Sequence, residues 1–84
     1  MSPEGHVAMH VIIENQLASG EPTQVRAALG RLRAAGLGRH EAIHAIASVL
    51  VRHLHGLLRG TPAEHLYEAE VDALTAEGWN GDRR

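Results

Sequence analysis

The sequence contains no cysteine, no lysine and no phenylalanine. The absence of cysteine excludes disulfides, thiolate zinc sites and cysteine nucleophiles. Tyr67 and Trp79 are the only aromatic residues, and the net charge is −2 with the histidines neutral. A nucleic-acid-binding domain is normally basic and offers several stacking aromatics. We therefore expect no nucleic-acid partner.

Long apolar runs are also missing. No segment approaches the roughly 20 apolar residues that a membrane-spanning helix needs, and the first residues do not resemble a signal peptide. We expect a cytoplasmic protein with no membrane partner. At 84 residues the chain predicts one domain, residues 1–84, with a small core. A homodimer or a bound metal ion would add stability to a domain of this size.

The apolar pattern is helical throughout and predicts an all-α fold. Pro3 and Pro22 fit the first position of a helix, and residues 61–64 form a capping box with proline. Gly20 and Gly60 are typical of helix ends. The pattern predicts helices at about 3–18, 22–35, 39–59 and 62–77, followed by a tail at 79–84. Short connections favour antiparallel neighbours, so the expected architecture is a four-helix up-down-up-down bundle.

Several polar and aromatic side chains are expected at the surface or its edge. The central arginines are interpreted as a solvated helix face; they are Arg26, Arg31, Arg33 and Arg39. The surface histidines are predicted to be His53, His55 and His65. We expect the Tyr67 hydroxyl to contact water, and Trp79 to pack the C-terminal turn onto the bundle.

Four histidines lie on apolar helical stripes. The stripe on the first helix comprises His6, Met9, His10, Ile13 and Leu17. That on the third comprises His40, Ile43, His44, Ala47, Val51, Leu54 and Leu58. Each stripe holds one histidine pair at spacing i, i+4, whereas random placement of seven histidines would give about half of one such pair. The sequence therefore predicts that both pairs face the core.

In an up-down bundle the first and third helices run in the same direction. Both histidine pairs fall in the first two turns of their helices, so they are expected at one end of the bundle. Imidazoles at i and i+4 lie close enough to share an ion. This arrangement predicts a transition-metal site formed by His6, His10, His40 and His44. The alternative is a structural histidine cluster, satisfied by hydrogen bonds between its members, to Glu14 or to the backbone.

Two carboxylates accompany these histidines. Glu14 lies one turn after His10 and is a candidate metal ligand, or an acceptor that fixes a histidine tautomer. Residues 40–44, HEAIH, match the H-E-x-x-H pattern in which a helix presents two histidines to zinc and a glutamate to its bound water. Glu41 is thus the candidate catalytic residue. As a structural alternative, Glu41 is an acid favoured in the first helical turn.

The strings HVAMHVIIENQLASG and RLRAAGLGRHEAIHAI resemble a bacterial domain-of-unknown-function family of small helical proteins. The shared motifs are H-x3-H, E-x-Q-[LI] and G-x-x-R-H-E-x-x-H. In this chain they comprise His6, His10, Glu14, Gln16, Leu17, Gly36, Arg39, His40, Glu41 and His44. The closing segment at 67–79 also fits. The resemblance covers most of the chain and implies no established activity. Gly38 departs from the acidic or hydroxyl helix cap that the family leads us to expect.

Three functions are consistent with these features. The first is a small metalloprotein that binds zinc, iron, copper, nickel, cobalt or manganese, and an open coordination position could make it a metal-dependent enzyme. The second is a non-enzymatic dimerisation or partner-docking module with a structural histidine cluster. The third and weakest is a zincin-like peptidase with Glu41 as general base. No strand or cleft for a peptide substrate is predicted, which argues against the peptidase.

Overall fold

A computed structural model gives the fold; it describes the backbone of residues 3–60 and 67–82 and the side chains of residues 7–60 and 67–79. Every regular element in these ranges is an α-helix: α1 (Pro3–Ser19), α2 (Thr23–Ala34), α3 (Arg39–Leu58), α4 (Tyr67–Asp72) and α5 (Ala76–Asp82). The predicted all-α class is therefore confirmed for the described part of the chain. None of these helices is both long and apolar enough to cross a membrane.

Glycine ends helices α2 and α3. Gly36 has a φ of 105°, which residues with a side chain rarely adopt. Its N–H donates to the carbonyl of Arg33, and the N–H of Leu37 donates to that of Leu32. These two bonds are those of a Schellman motif, which satisfies the last carbonyls of a helix. Gly60, with a φ of 74°, follows α3 in a similar conformation.

Helix α3 is the centre of the core, because it packs against α1, α2 and α4. Its buried residues are Ala42, Ile43, Ala45, Ile46, Ala47, Val49 and Leu50. With neighbours on several sides, the middle of α3 is buried over more of its circumference than one stripe would require. The other helices contribute Ile13, Leu17, Val25, Ala28, Leu32 and Val71, and Leu74 comes from the α4–α5 turn.

The predicted burial of the apolar stripe on α3 was wrong at both ends of the helix. His40 is exposed, and Leu54 and Leu58 are 37% and 83% exposed. Sequence periodicity identifies the apolar face of a helix, but the neighbours that cover it decide how far burial extends along the axis. In the described part of the chain, the covered section of α3 ends near Leu50.

The predicted fourth helix, 62–77, differs from what is observed. The capping box at 61–64 lies outside the described residues, and the rest consists of α4 and α5 with a turn between them. The Thr75 hydroxyl accepts a hydrogen bond from the Gly78 N–H at 3.0 Å. Thr75 therefore caps the start of a new helix. As a result α5 passes through Gly78 and continues to Asp82, whereas the predicted fourth helix ends at about residue 77.

The expectation of a solvated arginine face holds for Arg26, Arg33 and Arg39, which are exposed, but Arg31 is half-buried. Arg31 donates to the carbonyls of Val71 and Leu74 at 2.9–3.1 Å, which joins α2 to the C-terminal end of α4. Arg26 donates to the carbonyl of Leu17 at 2.7 Å. Arg39 binds Glu14, as described below. A guanidinium carries five N–H donors, so one side chain can satisfy several orphan carbonyls.

Helix α4 is joined to α1 and α3 by polar contacts. The Tyr67 hydroxyl donates to Gln16 Oε1 at 3.1 Å, rather than pointing only to water as predicted. His53 Nδ1 lies 3.3 Å from Glu70 Oε2, and the His53 side chain is only 14% exposed. His53 is thus largely buried, against expectation, whereas His55 is exposed as predicted. His65 lies outside the described residues.

The core assignment predicts a large difference between two similar truncations. Ile46 is fully buried and Leu58 is 83% exposed. Ile46→Ala should lower the free energy of unfolding by about 2–5 kcal/mol through lost burial and a residual cavity. Leu58→Ala removes the same number of carbon atoms and should change it by less than about 0.5 kcal/mol. Urea titrations followed by circular dichroism measure both, and equal effects would contradict the assignment of the core.

A second prediction concerns the only tyrosine. Burial raises the pKa of Tyr67 from the usual 10.0 to about 12. Because the folded pKa lies above the unfolded one, the associated stability is fully present below pH 10 and is lost as the pH rises towards 12. Ultraviolet titration of the tyrosinate should give a pKa near 12 in the native protein and near 10 in urea. A native value near 10 would show that the ring is solvated.

Candidate functional site

Helices α1 and α3 bring three of the four predicted histidines together. The ring centre of His10 lies 5.0 Å from that of His40 and 5.7 Å from that of His44. His10 and His44 are half-buried, while His40 is exposed, and the Nε2 atom of His10 is buried. The three imidazoles therefore lie at the rim of the α1–α3 interface and not in the centre of the core.

His6 occupies the helical turn before His10 on α1. Its side chain lies outside the described residues, so its place in the predicted ligand set stays a prediction. Among the residues that the structure describes, no group of three or more histidine, aspartate or glutamate side chains is arranged to hold a metal ion. Binding of one ion by the three imidazoles would thus require an arrangement of these side chains different from the one observed.

Glu14 interacts with an arginine. Arg39 donates from Nη2 to Oε1 and from Nη1 to Oε2 of Glu14, at 2.7 and 2.9 Å. These hydrogen bonds are the main reason why the pKa of Glu14 lies below its usual 4.5. They also join α1 to the first residue of α3, next to His40. A bidentate pair engages both carboxylate oxygens, so metal ligation by Glu14 would compete with its hydrogen bonds to Arg39.

Glu41 is held from a different helix. Nε1 of Trp79, on α5, donates to Oε1 of Glu41 at 3.3 Å. The indole ring also packs against His44, with ring centres 5.7 Å apart and the planes tilted by 54°. The carboxylate of the H-E-x-x-H motif therefore has a defined partner. Gly38 is the N-cap of α3 and makes no side-chain cap hydrogen bond. Glu41 lies in the first turn of α3, where a negative charge is favoured.

An open pocket of about 380 Å³ joins these residues. It is lined by His40, Glu41, His44 and Trp79. All three functional positions of the H-E-x-x-H motif thus face one solvent-accessible space, as a small ligand or a metal-bound water would require. A second pocket, of about 390 Å³, lies between α3 and the α4–α5 segment. It includes the His53–Glu70 pair but none of the residues predicted to form the site.

Sequence reasoning missed the roles of Trp79 and Arg39. Trp79 is separated from Glu41 by 38 positions and Arg39 from Glu14 by 25. No local spacing rule relates residues so far apart on different helices. The single tryptophan was a usable signal, since a buried indole needs an acceptor for its N–H, but the sequence does not identify that acceptor.

No protein-family model matches the chain, and comparison with curated proteins and with solved structures found no similar protein. The resemblance to the bacterial domain-of-unknown-function family stays a prediction.

The Glu14–Arg39 pair predicts how the stability of the fold changes with pH. Because the folded pKa of Glu14 is depressed, the stability due to this pair is present above pH 4.5 and is lost as the pH falls. Arg39→Gln should return the pKa of Glu14 towards 4.5, and the control Arg33→Gln, an exposed position on α2, should leave it low. Carboxyl NMR titration measures both. A Glu14 pKa that does not respond to Arg39→Gln would exclude the pair in solution.

Proposed function

We propose that this protein binds one transition-metal ion through the imidazoles of His10, His40 and His44, with His6 as a further candidate ligand. The observation that carries the proposal is the meeting of three imidazoles from two helices beside a pocket that also contains Glu41. Neutral imidazole nitrogen is a common ligand for zinc, copper, iron, nickel and cobalt. The chain has no cysteine and therefore no thiolate ligand, and its only thioethers are those of two methionines.

The ring separations are compatible with a shared ion. A zinc–nitrogen bond of about 2.0–2.1 Å places the centre of a bound imidazole about 3.2 Å from the metal, so two such rings at a tetrahedral angle have centres about 5.2 Å apart. The observed separations are 5.0 Å and 5.7 Å. Ordinary packing of aromatic rings covers roughly 4.5–7 Å, so the separations fit both a metal site and a structural cluster. Direct measurement of binding distinguishes them.

The up-down helix arrangement, the cytoplasmic location and a role for Glu14 are proposed together with the metal site. The short connections at residues 20–22 and 35–38 support antiparallel neighbours and thus an up-down arrangement of the helices. A cytoplasmic location is proposed with it. Glu14 would act as an outer carboxylate near His10 while it is bound to Arg39, and no direct ligation by Glu14 is needed.

A second candidate function is a dimerisation or docking module. It is favoured by the exposed leucines near the end of α3, of which Leu57 and Leu58 are 50% and 83% exposed. Val7 and Val11, one turn apart on α1, are 60% and 51% exposed. Sedimentation of the metal-free protein tests this function, since a module that works without metal would self-associate or bind a partner regardless of chelators.

The zincin-like peptidase is the weakest candidate. Its general base would be Glu41, whose Oε1 accepts the indole hydrogen bond of Trp79. The described residues contain no strand along which an extended peptide could bind. Hydrolysis of an unstructured peptide mixture by the zinc-loaded protein, lost in Glu41→Gln, would favour this function over the other two.

The metal proposal predicts a specific pattern of binding. Untagged protein, stripped with a chelator and titrated with Zn²⁺ or Co²⁺ in a calorimeter, should bind about one ion per chain. At a free-ion concentration of 100 times Kd, the gain in the free energy of unfolding should be about 2.7 kcal/mol. Binding should weaken below about pH 6, because protons compete for the imidazoles.

Two variants distinguish binding at the proposed site from binding by histidines elsewhere on the surface. His10→Ala with His44→Ala should abolish the binding and the thermal shift. His55→Ala removes an exposed histidine from the same helix α3 and should leave both unchanged. Wild-type protein that binds neither ion, or binding that survives the double substitution, would refute the proposal.

A further inference from the structure

The pocket at the start of α3 combines three rings with one carboxylate. Among the described residues, it is lined by His40, Glu41, His44 and Trp79. The indole of Trp79 lies against the imidazole of His44, with ring centres 5.7 Å apart and the planes tilted by 54°. Trp79 is the only tryptophan of the chain. The walls of this pocket therefore offer π-systems to a ligand, together with one negative charge.

The charge of the pocket favours a cation. Glu41 is the one charged side chain that lines it in the described part of the chain when the histidines are neutral. The adjacent arginine, Arg39, donates two hydrogen bonds to Glu14, at 2.7 and 2.9 Å. The positive charge of Arg39 is thus offset by a carboxylate outside the pocket. A cation that enters the pocket is attracted by Glu41 across a short distance, at lower effective dielectric than in bulk water.

The indole and the carboxylate are held side by side. Trp79 Nε1 donates to Glu41 Oε1 at 3.3 Å, which brings the carboxylate to the edge of the indole ring. An indole N–H lies in the plane of its ring, so this contact occupies the edge and not a ring face. A cation placed over the ring face would interact with the π-system and with the neighbouring carboxylate at the same time.

The rings favour one type of cation. Tryptophan gives the strongest cation–π attraction among the aromatic side chains, and clusters of rings recognise quaternary and methylated ammonium groups. An unsubstituted ammonium is strongly hydrated, whereas N-methyl groups present apolar surface whose burial against a ring is favourable. The pocket volume of about 380 Å³ lies within the roughly 300–1,000 Å³ of small-molecule sites. An alkylated ammonium ion matches the rings, the charge and the size.

We propose that this pocket binds a small organic ammonium ion, with its N-alkyl groups against Trp79 and His44 and its charge beside Glu41. Trimethylammonium compounds define the chemical class. The inference does not depend on the proposed metal site, because it requires neither a bound metal nor a different arrangement of the imidazoles. It assigns a binding function and involves no chemical step.

The first experiment compares choline with 3,3-dimethyl-1-butanol, which has the same shape without the charge. Metal-free wild type, kept in chelator at constant ionic strength and about pH 8, where histidine is ordinarily neutral, is titrated with each compound. The fluorescence of the single tryptophan reports binding. Choline should give a saturable change, and the neutral analogue should bind at least about five-fold more weakly. Equal affinities, or no saturable change with choline, would overturn the inference.

Three variants test the residues, with calorimetry as the measurement. Glu41→Gln keeps the shape of the side chain and removes its charge, and should raise the Kd for choline at least about five-fold. Trp79→Phe keeps a ring with a weaker π-system and should raise it about three-fold. Glu77→Gln, an exposed position on the same helix as Trp79, should leave it unchanged. A Glu41→Gln protein that binds choline as tightly as the wild type contradicts the inference. The comparison of the two compounds uses wild type alone, so it remains decisive if a variant does not fold.

Two further comparisons identify the source of the ligand and separate this inference from the metal site. A peptide containing trimethyl-lysine that binds no more tightly than choline indicates a free small molecule. Binding about ten-fold tighter indicates a modified side chain whose flanking residues add contacts. Choline binding by protein that binds no Zn²⁺ supports this inference and refutes only the metal site. Zn²⁺ binding without choline binding refutes this inference and leaves the metal site standing.

Discussion

The fold depends on the burial of the middle of α3. Its central turns carry isoleucine, valine, leucine and alanine over most of the helix circumference, and one neighbouring helix cannot cover them all. Helices α1, α2 and α4 therefore pack around it. Burying these side chains is the main favourable term available to a chain of 84 residues. The start of α3, including His40, lies beyond this covered section, which is why the motif reaches the surface.

Arginine side chains connect the helices that the core brings together. Arg26 binds a carbonyl of α1, Arg31 binds the end of α4, and Arg39 binds Glu14. Lysine, which is absent from the chain, could not replace Arg31 with the same geometry, because an ammonium group is a point charge and a guanidinium is a planar set of donors. The Arg31 contact lies in the segment that leads from α4 into α5, the helix that carries Trp79.

The same contacts surround the three imidazoles. The Glu14–Arg39 pair borders them on one face, and Trp79 with Glu41 borders the pocket. Each of the two carboxylates that could have joined a metal site is therefore engaged by a specific donor. In the proposed metal site, these two carboxylates would be outer groups that orient the imidazole ligands.

The sequence by itself determined the helical class, the ends of the first three helices and the spacing of the two histidine pairs, each separated by one helical turn. These follow from local rules: apolar spacing, proline and glycine positions, and the i, i+4 geometry of a helix. The break between α4 and α5 was also encoded locally, in Thr75, but a threonine within an otherwise helical pattern is ambiguous until its hydroxyl is seen to cap.

Only the tertiary structure decided which polar groups meet. The partners of Glu14, Glu41 and Tyr67 come from other helices, 25 to 51 positions away. Such pairs depend on helix register and on long side chains whose rotamers are selected by packing, and neither is fixed by local sequence. The exposure of His40 likewise depended on how far the neighbours of α3 extend along its axis, which no periodicity within α3 could reveal.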